Sequence, residues 1–252
     1  MVEFTRAHER LHKETIEGEQ FEAARAEVLI TTRARAEGGG DLVVHFHGAS
    51  WLPFQAGIAS GRPLIVAAVN VGQGGGAYDA AFRDPAALAA IVAQIRSRIA
   101  VRRIYLSGFS AGYGAIRAIL RNKTDVDGVL LLDGLHTSYV GDRKVDPAGM
   151  QPFLDFAREA AAGRKRFVFS HSEIFPGTFA STTETSDYLI QQLGLKRTPV
   201  ARFGPRGMQQ LSELHAGGLT ILGFAGNSAP DHVDQFHAMP ELLQILFEGG
   251  TP

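Results

Sequence analysis

An apolar stretch, Ile104-Tyr105-Leu106, runs into Gly108-x-Ser110-x-Gly112 and leaves through Ala115, Ile116, Ile119 and Leu120, which mark one face of a helix. Few patterns constrain a chain more tightly. A strand must turn sharply into a helix, and the serine at the apex is lifted out of the turn. Strand and helix then pass within contact distance, so the positions beside the serine must be small. Gly108, Ala111, Gly112 and Gly114 meet that demand.

The rest of the chain alternates in the same manner. Val28–Thr32, Leu42–His47 and Pro63–Asn70 read as strands, with a turn at Gly38–Asp41. Asp84-Pro85 reads as a helix start, aspartate capping and proline in the first turn, before Leu88, Ile91, Val92, Ile95 and Ile99 at helical spacing. Beyond the serine turn come a strand at Val129–Asp133, a helix at Pro147–Ala162, a strand at Arg166–Ser170 and a helix opened by a capping box, Ser181 with Glu184. A short extended piece at Pro199–Phe203 and a helix at Met208–Leu214 are expected next. They are followed by a last strand at Leu219–Phe224 and a last helix at Val233–Phe247 bent near Pro240.

Strands apolar on both faces belong in a mainly parallel, doubly wound α/β sheet with helices on both faces. The expected organisation is an N-terminal extension over residues 1–26, helical or irregular, and a single domain over 27–252 with a small insertion around 172–218. No internal repeat or heptad pattern is present.

Composition excludes several classes. The 25 basic and 26 acidic side chains nearly cancel, which removes the electrostatic footprint of a nucleic-acid binder and favours a neutral or mildly charged small substrate. With no cysteine, neither a disulfide framework nor a thiolate metal site is available. No run approaches the roughly 18 apolar residues of a membrane span. The charged start, Met1 to Arg10, does not read as a signal peptide, so the cytoplasm is the expected compartment.

Three landmarks occur in a telling order: His45-Phe46-His47-Gly48 at the end of an early strand, Gly108 to Gly112, and a histidine after the last strand. Together they resemble the α/β-hydrolase superfamily over residues 27–248, with the serine turn matching that family's nucleophile elbow. The resemblance implies a serine hydrolase that cleaves a carboxylic ester of a small or medium, neutral or polar molecule through an acyl-enzyme, with no metal or organic cofactor. An amidase or acyltransferase would use the same triad, and a catalytically inactive binding module would keep the fold. Oligomeric state is not specified by the sequence.

Ser110 would be the nucleophile and needs a base to take its proton. His232, in the Gly226–His232 loop, is the first choice, and His237, expected within the helix, is the alternative. For the acid, Asp133 ends the strand after the serine helix, while Glu173 lies past the next strand, where the family more often keeps it. Backbone N–H groups of Ala111 and of Gly48 or Ala49 would form the oxyanion hole.

Two other patterns compete. His45 and His47, with His136 and His171, read as a zinc cluster, although the His-Gly turn already accounts for His47. Gly72–Gly76 has the composition of a phosphate loop but lacks the G-x-G-x-x-G register, a lysine and an immediate helix, so a flexible turn is expected, with Tyr78 beyond it reaching a pocket. Trp51, Phe54, Tyr139, Phe175 and Phe179 supply modest aromatic surface, and no large apolar lid is evident.

Overall fold

A computed structural model of the chain describes residues 9–248. They fall into two compact units, residues 11–130 and residues 131–248 with residues 9 and 10.

The N-terminal unit contains β1 (Glu19–Ala23), β2 (Ala26–Ile30), α1 (Thr32–Ala36), β3 (Gly39–Phe46), α2 (Trp51–Ala59), β4 (Leu64–Val69), α3 (Gly75–Phe82), α4 (Ala86–Arg96), β5 (Ala100–Phe109) and α5 (Tyr113–Arg121). Its strands lie in the order β1-β2-β4-β3-β5. β3 runs parallel to both β4 and β5, whereas β2 is antiparallel to β4 and to β1. Every residue of β3 and β4 is buried, as their two-sided apolar runs require. The helix after Asp84-Pro85 begins one residue later than read, at Ala86 with Pro85 in the N-cap position, and Asp84 Oδ1, just outside it, accepts from Ala86 N at 2.9 Å.

Three local expectations fail here. The segment read as a helical or irregular extension carries β1, which turns through Ala24 (φ 52°) into β2. Its alternation is carried by Phe21 and Ala23 alone, too weak a signal amid glutamates. Gly38–Asp41 is not simply a turn, because β3 begins at Gly39; a Cβ on Gly40 would sit 2.2 Å from the Pro63 carbonyl oxygen, so these glycines serve close approach between strands. A helix does follow the glycine run directly, since α3 starts at Gly75.

The C-terminal unit follows β6 (Gly128–Leu132), which spans the junction. It contains β7 (Tyr139–Val140), β8 (Lys144–Val145), α6 (Pro147–Ala161), β9 (Arg166–His171), α7 (Thr182–Gln192), β10 (Thr198–Phe203), β11 (Gln209–Ala216), β12 (Leu219–Phe224), α8 (Ala229–His237) and α9 (Met239–Glu248). The order is β6-β9-β12-β11-β10, with β7 and β8 a separate hairpin. β12 is parallel to β9, and β11 and β10 add antiparallel. The capping box of α7 forms in full: Ser181 Oγ accepts from Glu184 N at 3.1 Å, and Glu184 Oε2 accepts from Ser181 N at 2.7 Å.

The helix expected at Met208–Leu214 is instead β11. Met208, Leu211 and Leu214 have helical spacing, but the segment pairs with β12 through a two-residue Gly217-Gly218 hairpin turn, with Gly217 at φ 56°. The last helix divides at Ala238 into α8 and α9; Pro240 falls in the first turn of α9, where its missing N–H costs no helical hydrogen bond. Among the described residues no helix is long and apolar enough to cross a membrane.

Candidate active site

In the N-terminal unit, β5 ends with Phe109 extended, Ser110 turns to φ 48°, and a single 3-10 turn over Ser110–Gly112 leads into α5. A side chain at positive φ is held against its own steric preference and persists only where the surroundings fix it. The surroundings are backbone. A Cβ on Gly112 would lie 2.1 Å from the Phe46 carbonyl oxygen, one on Gly108 3.0 Å from Gly112 C, and one on Gly114 1.9 Å from the Gly75 carbonyl oxygen. Gly75 itself leaves room for the Tyr113 ring, so the glycine run before α3 serves helix packing rather than a flexible turn. Ser110 and Ala111 remain half-buried.

The His-Gly turn follows β3 in the same unit. His47 has φ 74° and Gly48 φ 112°. Asn70 clamps it, accepting from Gly48 N at 3.0 Å and donating to Gly48 O at 2.9 Å. The Gly48 N–H is therefore already engaged, which leaves Ala49 as the expected donor from this loop. His47 Nδ1 meets Tyr78 Oη at 3.0 Å, and Tyr78 is fully buried, so it supports the turn instead of reaching a pocket. His45 is buried between Ser107 Oγ, 3.0 Å from its Nδ1, and the His47 carbonyl, 2.9 Å from its Nε2. Burial drives its pKa down to about 3 and keeps the ring neutral.

In the C-terminal unit, Asp133 follows β6 at φ 43° and is 2% exposed. His232 is not in a loop, as its sequence context suggested, but in the first turn of α8, whose start is fixed by Pro230 and a capping box between Ser228 and Asp231. From there its Nδ1 lies 2.8 Å from Asp133 Oδ2. The carboxylate accepts three more hydrogen bonds: Oδ1 from Ser172 N (2.9 Å) and Thr182 Oγ1 (2.7 Å), and Oδ2 from Ser172 Oγ (2.7 Å). Burial by itself would raise the Asp133 pKa, but the bonds from His232 and Ser172 outweigh it and hold the pKa below the ordinary aspartate value. An ionised carboxylate requires Nδ1 to carry the proton, which makes Nε2 the basic nitrogen. That is the tautomer a general base needs.

The other candidates are placed elsewhere. Glu173 is exposed and bonds to Gly226, accepting from its N–H at 3.4 Å and donating its own N–H to the Gly226 carbonyl at 2.9 Å. His237 is the last residue of α8. His171 is buried with Nε2 2.8 Å from Arg197 Nη1, and His136 Nδ1 donates to the Ala180 carbonyl at 3.0 Å. Among the described residues no group of three or more His, Asp or Glu is gathered to hold a metal ion, so the four-histidine zinc reading has no assembled site.

Ser172 and Thr182 escaped sequence reading because nothing in their local pattern marks them. Ser172 sits one residue past β9, and Thr182 is the first residue of α7. Backbone conformation gives a further pointer: of the seven non-glycine residues with positive φ among those described, three are His47, Ser110 and Asp133.

No protein-family model matches the sequence, and no curated protein sequence does. Solved structures do. TT1662 from Thermus thermophilus is similar over 95% of this chain and 100% of its own, with a TM-score of 0.53 and 14% identity. The enterobactin esterase FES from Shigella flexneri is similar over 97% of this chain and 62% of its own, with a TM-score of 0.52 and 12% identity. The acylaminoacyl peptidase of Pyrococcus horikoshii gives a TM-score of 0.52 at 12% identity, over 93% of this chain and 41% of its own. The chain shares with these structures the α/β-hydrolase fold, a mainly parallel sheet with helices packed on it.

Proposed function

We propose that the protein is a serine hydrolase that cleaves a carboxylic ester of a small or medium, neutral or polar molecule. Ser110 is the nucleophile, His232 the base and Asp133 the acid. The observation that carries this reading is the 2.8 Å bond between His232 Nδ1 and a buried Asp133 carboxylate held by three other donors. Further support comes from the strained serine turn and from a fold shared with an esterase and a peptidase.

In this scheme Ser110 Oγ attacks the acyl carbon as its proton passes to His232 Nε2. The imidazolium so formed is stabilised by Asp133, which stays ionised. The negative charge developing on the carbonyl oxygen is met by the N–H groups of Ala111 and Ala49. Collapse of the tetrahedral adduct breaks the ester C–O bond, and His232 returns the proton to the departing alcohol. Water, deprotonated by His232, then attacks the acyl carbon; collapse breaks its bond to Ser110 Oγ, His232 returns the proton to that oxygen, and the carboxylic acid is released. An amine leaving group or an alcohol acceptor would use the same proton path.

Hydrolysis of p-nitrophenyl esters of graded acyl length tests the proposal. The expected result is turnover that favours short acyl chains and is abolished by Ser110→Ala and by His232→Ala in folded protein. Wild-type activity in either variant would refute the assignment. Absence of any turnover in well-folded wild-type protein would favour a binding module.

A further inference from the structure

Arg197 lies between α7 and β10, and its side chain is mostly buried, 21% exposed. Its guanidinium joins three elements. Nη1 donates to His171 Nε2 at 2.8 Å and to Ser212 Oγ at 3.0 Å, while Nη2 donates to Ser186 Oγ at 2.5 Å and to Asp187 Oδ1 at 2.6 Å. These partners stand on β9, β11 and α7. A guanidinium has no acceptor, so His171 Nε2 must be the accepting nitrogen and the ring proton must sit on Nδ1. That nitrogen faces the Ser172 carbonyl at 3.2 Å, which also accepts from Thr183 Oγ1 at 2.8 Å. The ring cannot swing away: a Cβ on Gly223 would lie 3.0 Å from it, so β12 packs flat against its edge.

The Ser172 peptide is thus held at its carbonyl, while its N–H and hydroxyl reach the two oxygens of Asp133. We infer that Arg197 is a positioning residue for the Asp133–His232 pair: it sets the tautomer and place of His171, His171 fixes Ser172, and Ser172 grips both carboxylate oxygens. The consequence for turnover rests on the function proposed above; the positioning itself does not. Burial, reinforced by the positive charge of Arg197, takes the His171 pKa down to about 4, so the link stays neutral at ordinary pH.

The test is the NMR chemical shift of the His232 Nδ1 proton, which lies in the bond to Asp133, measured in the full chain; it needs no turnover. Ser172→Ala removes a donor from the oxygen that also binds His232, leaving more of the carboxylate charge to that bond, so the Nδ1 proton resonance should move downfield. Arg197→Lys keeps the charge but cannot span the four partners, and should move the resonance the same way by less. The double variant should move it no further than Ser172→Ala alone, because both changes act along one path.

If Arg197→Lys reduces the folded fraction, His171→Gln interrupts the same path one step nearer and is judged by the same criterion. In turnover, each change should lower kcat by roughly threefold to tenfold with KM unchanged. A wild-type Nδ1 proton resonance in Arg197→Lys and His171→Gln, or fully additive shifts in the double variant, would overturn the inference. Shifts as described in a protein that hydrolyses no ester would refute the proposed function and leave the positioning intact. Ester hydrolysis with no shifts would do the reverse.

Discussion

The turn around Ser110 and the pair formed by Asp133 and His232 are held by opposite means. Around Ser110 the constraint is steric: carbonyl groups of Phe46 and Gly75 occupy the space that side chains on Gly112 and Gly114 would need. Around Asp133 the constraint is polar: four donors converge on one buried carboxylate, from Ser172, Thr182 and His232. The first region tolerates no added atoms. The second tolerates no lost donor, because a buried charge deprived of its partners costs more than the partners contribute when present. The two regions thus fail in different ways, the first by distortion of the fold and the second by misplacement of a proton.

The largest effect is expected where the proton is misplaced. Asp133→Asn would turn an amide toward His232 Nδ1 and favour the wrong tautomer, and kcat for ester cleavage should fall by about 10³- to 10⁴-fold. Stopped-flow or steady-state kinetics with a circular-dichroism check of folding measures it; a loss below tenfold would remove Asp133 from the mechanism. Next comes the steric region. Gly112→Ala places a Cβ 2.1 Å from backbone oxygen, which must move, and urea unfolding should show a loss of roughly 3 kcal/mol. A near-neutral Gly112→Ala would break the contrast between the two regions.

Each region also contains one buried neutral histidine, His45 or His171, with desolvation lowering the pKa from 6.5 to about 3 and about 4 respectively. The unfolded chain takes up these protons as pH falls below 6.5, whereas the folded chain does not, so the stability they contribute is complete above that pH and drains away below it. The expected slope is about 1.4 kcal/mol per pH unit per histidine, levelling off for His171 near pH 4 and for His45 near pH 3. Denaturant melts between neutral pH and the acid limb should show that slope, and His171→Gln should remove one proton from it. A flat profile would contradict the burial argument. The smallest effects are expected at the alternative acid and base: Glu173→Gln and His237→Gln should change kcat/KM by less than about twofold.

The same contrast explains what the sequence could disclose. The serine turn is written in consecutive residues, since glycine at 108, 112 and 114 records the close approach directly. The apolar strands and the capping box at Ser181 are local in the same way. Asp133 and His232 could be proposed only as members of short lists, because their pairing spans 99 positions and depends on where α8 begins. Ser172 and Thr182 carried no signal at all, as a hydroxyl that binds a distant carboxylate looks like any other. Errors of secondary structure had the same origin: β1 and β11 are partly exposed strands whose partners, not their own periodicity, decide their conformation.

In the proposed mechanism the Ser110 hydroxyl is activated by His232. Incubating the intact protein with a fluorophosphonate and mapping the adduct by mass spectrometry tests it most directly. The expected result is a single phosphonylated residue, Ser110, formed at a rate that falls by at least roughly 10²-fold in His232→Gln while folding is retained. Labelling that is absent from folded wild-type protein, falls on another residue, or proceeds equally fast without His232 would contradict it.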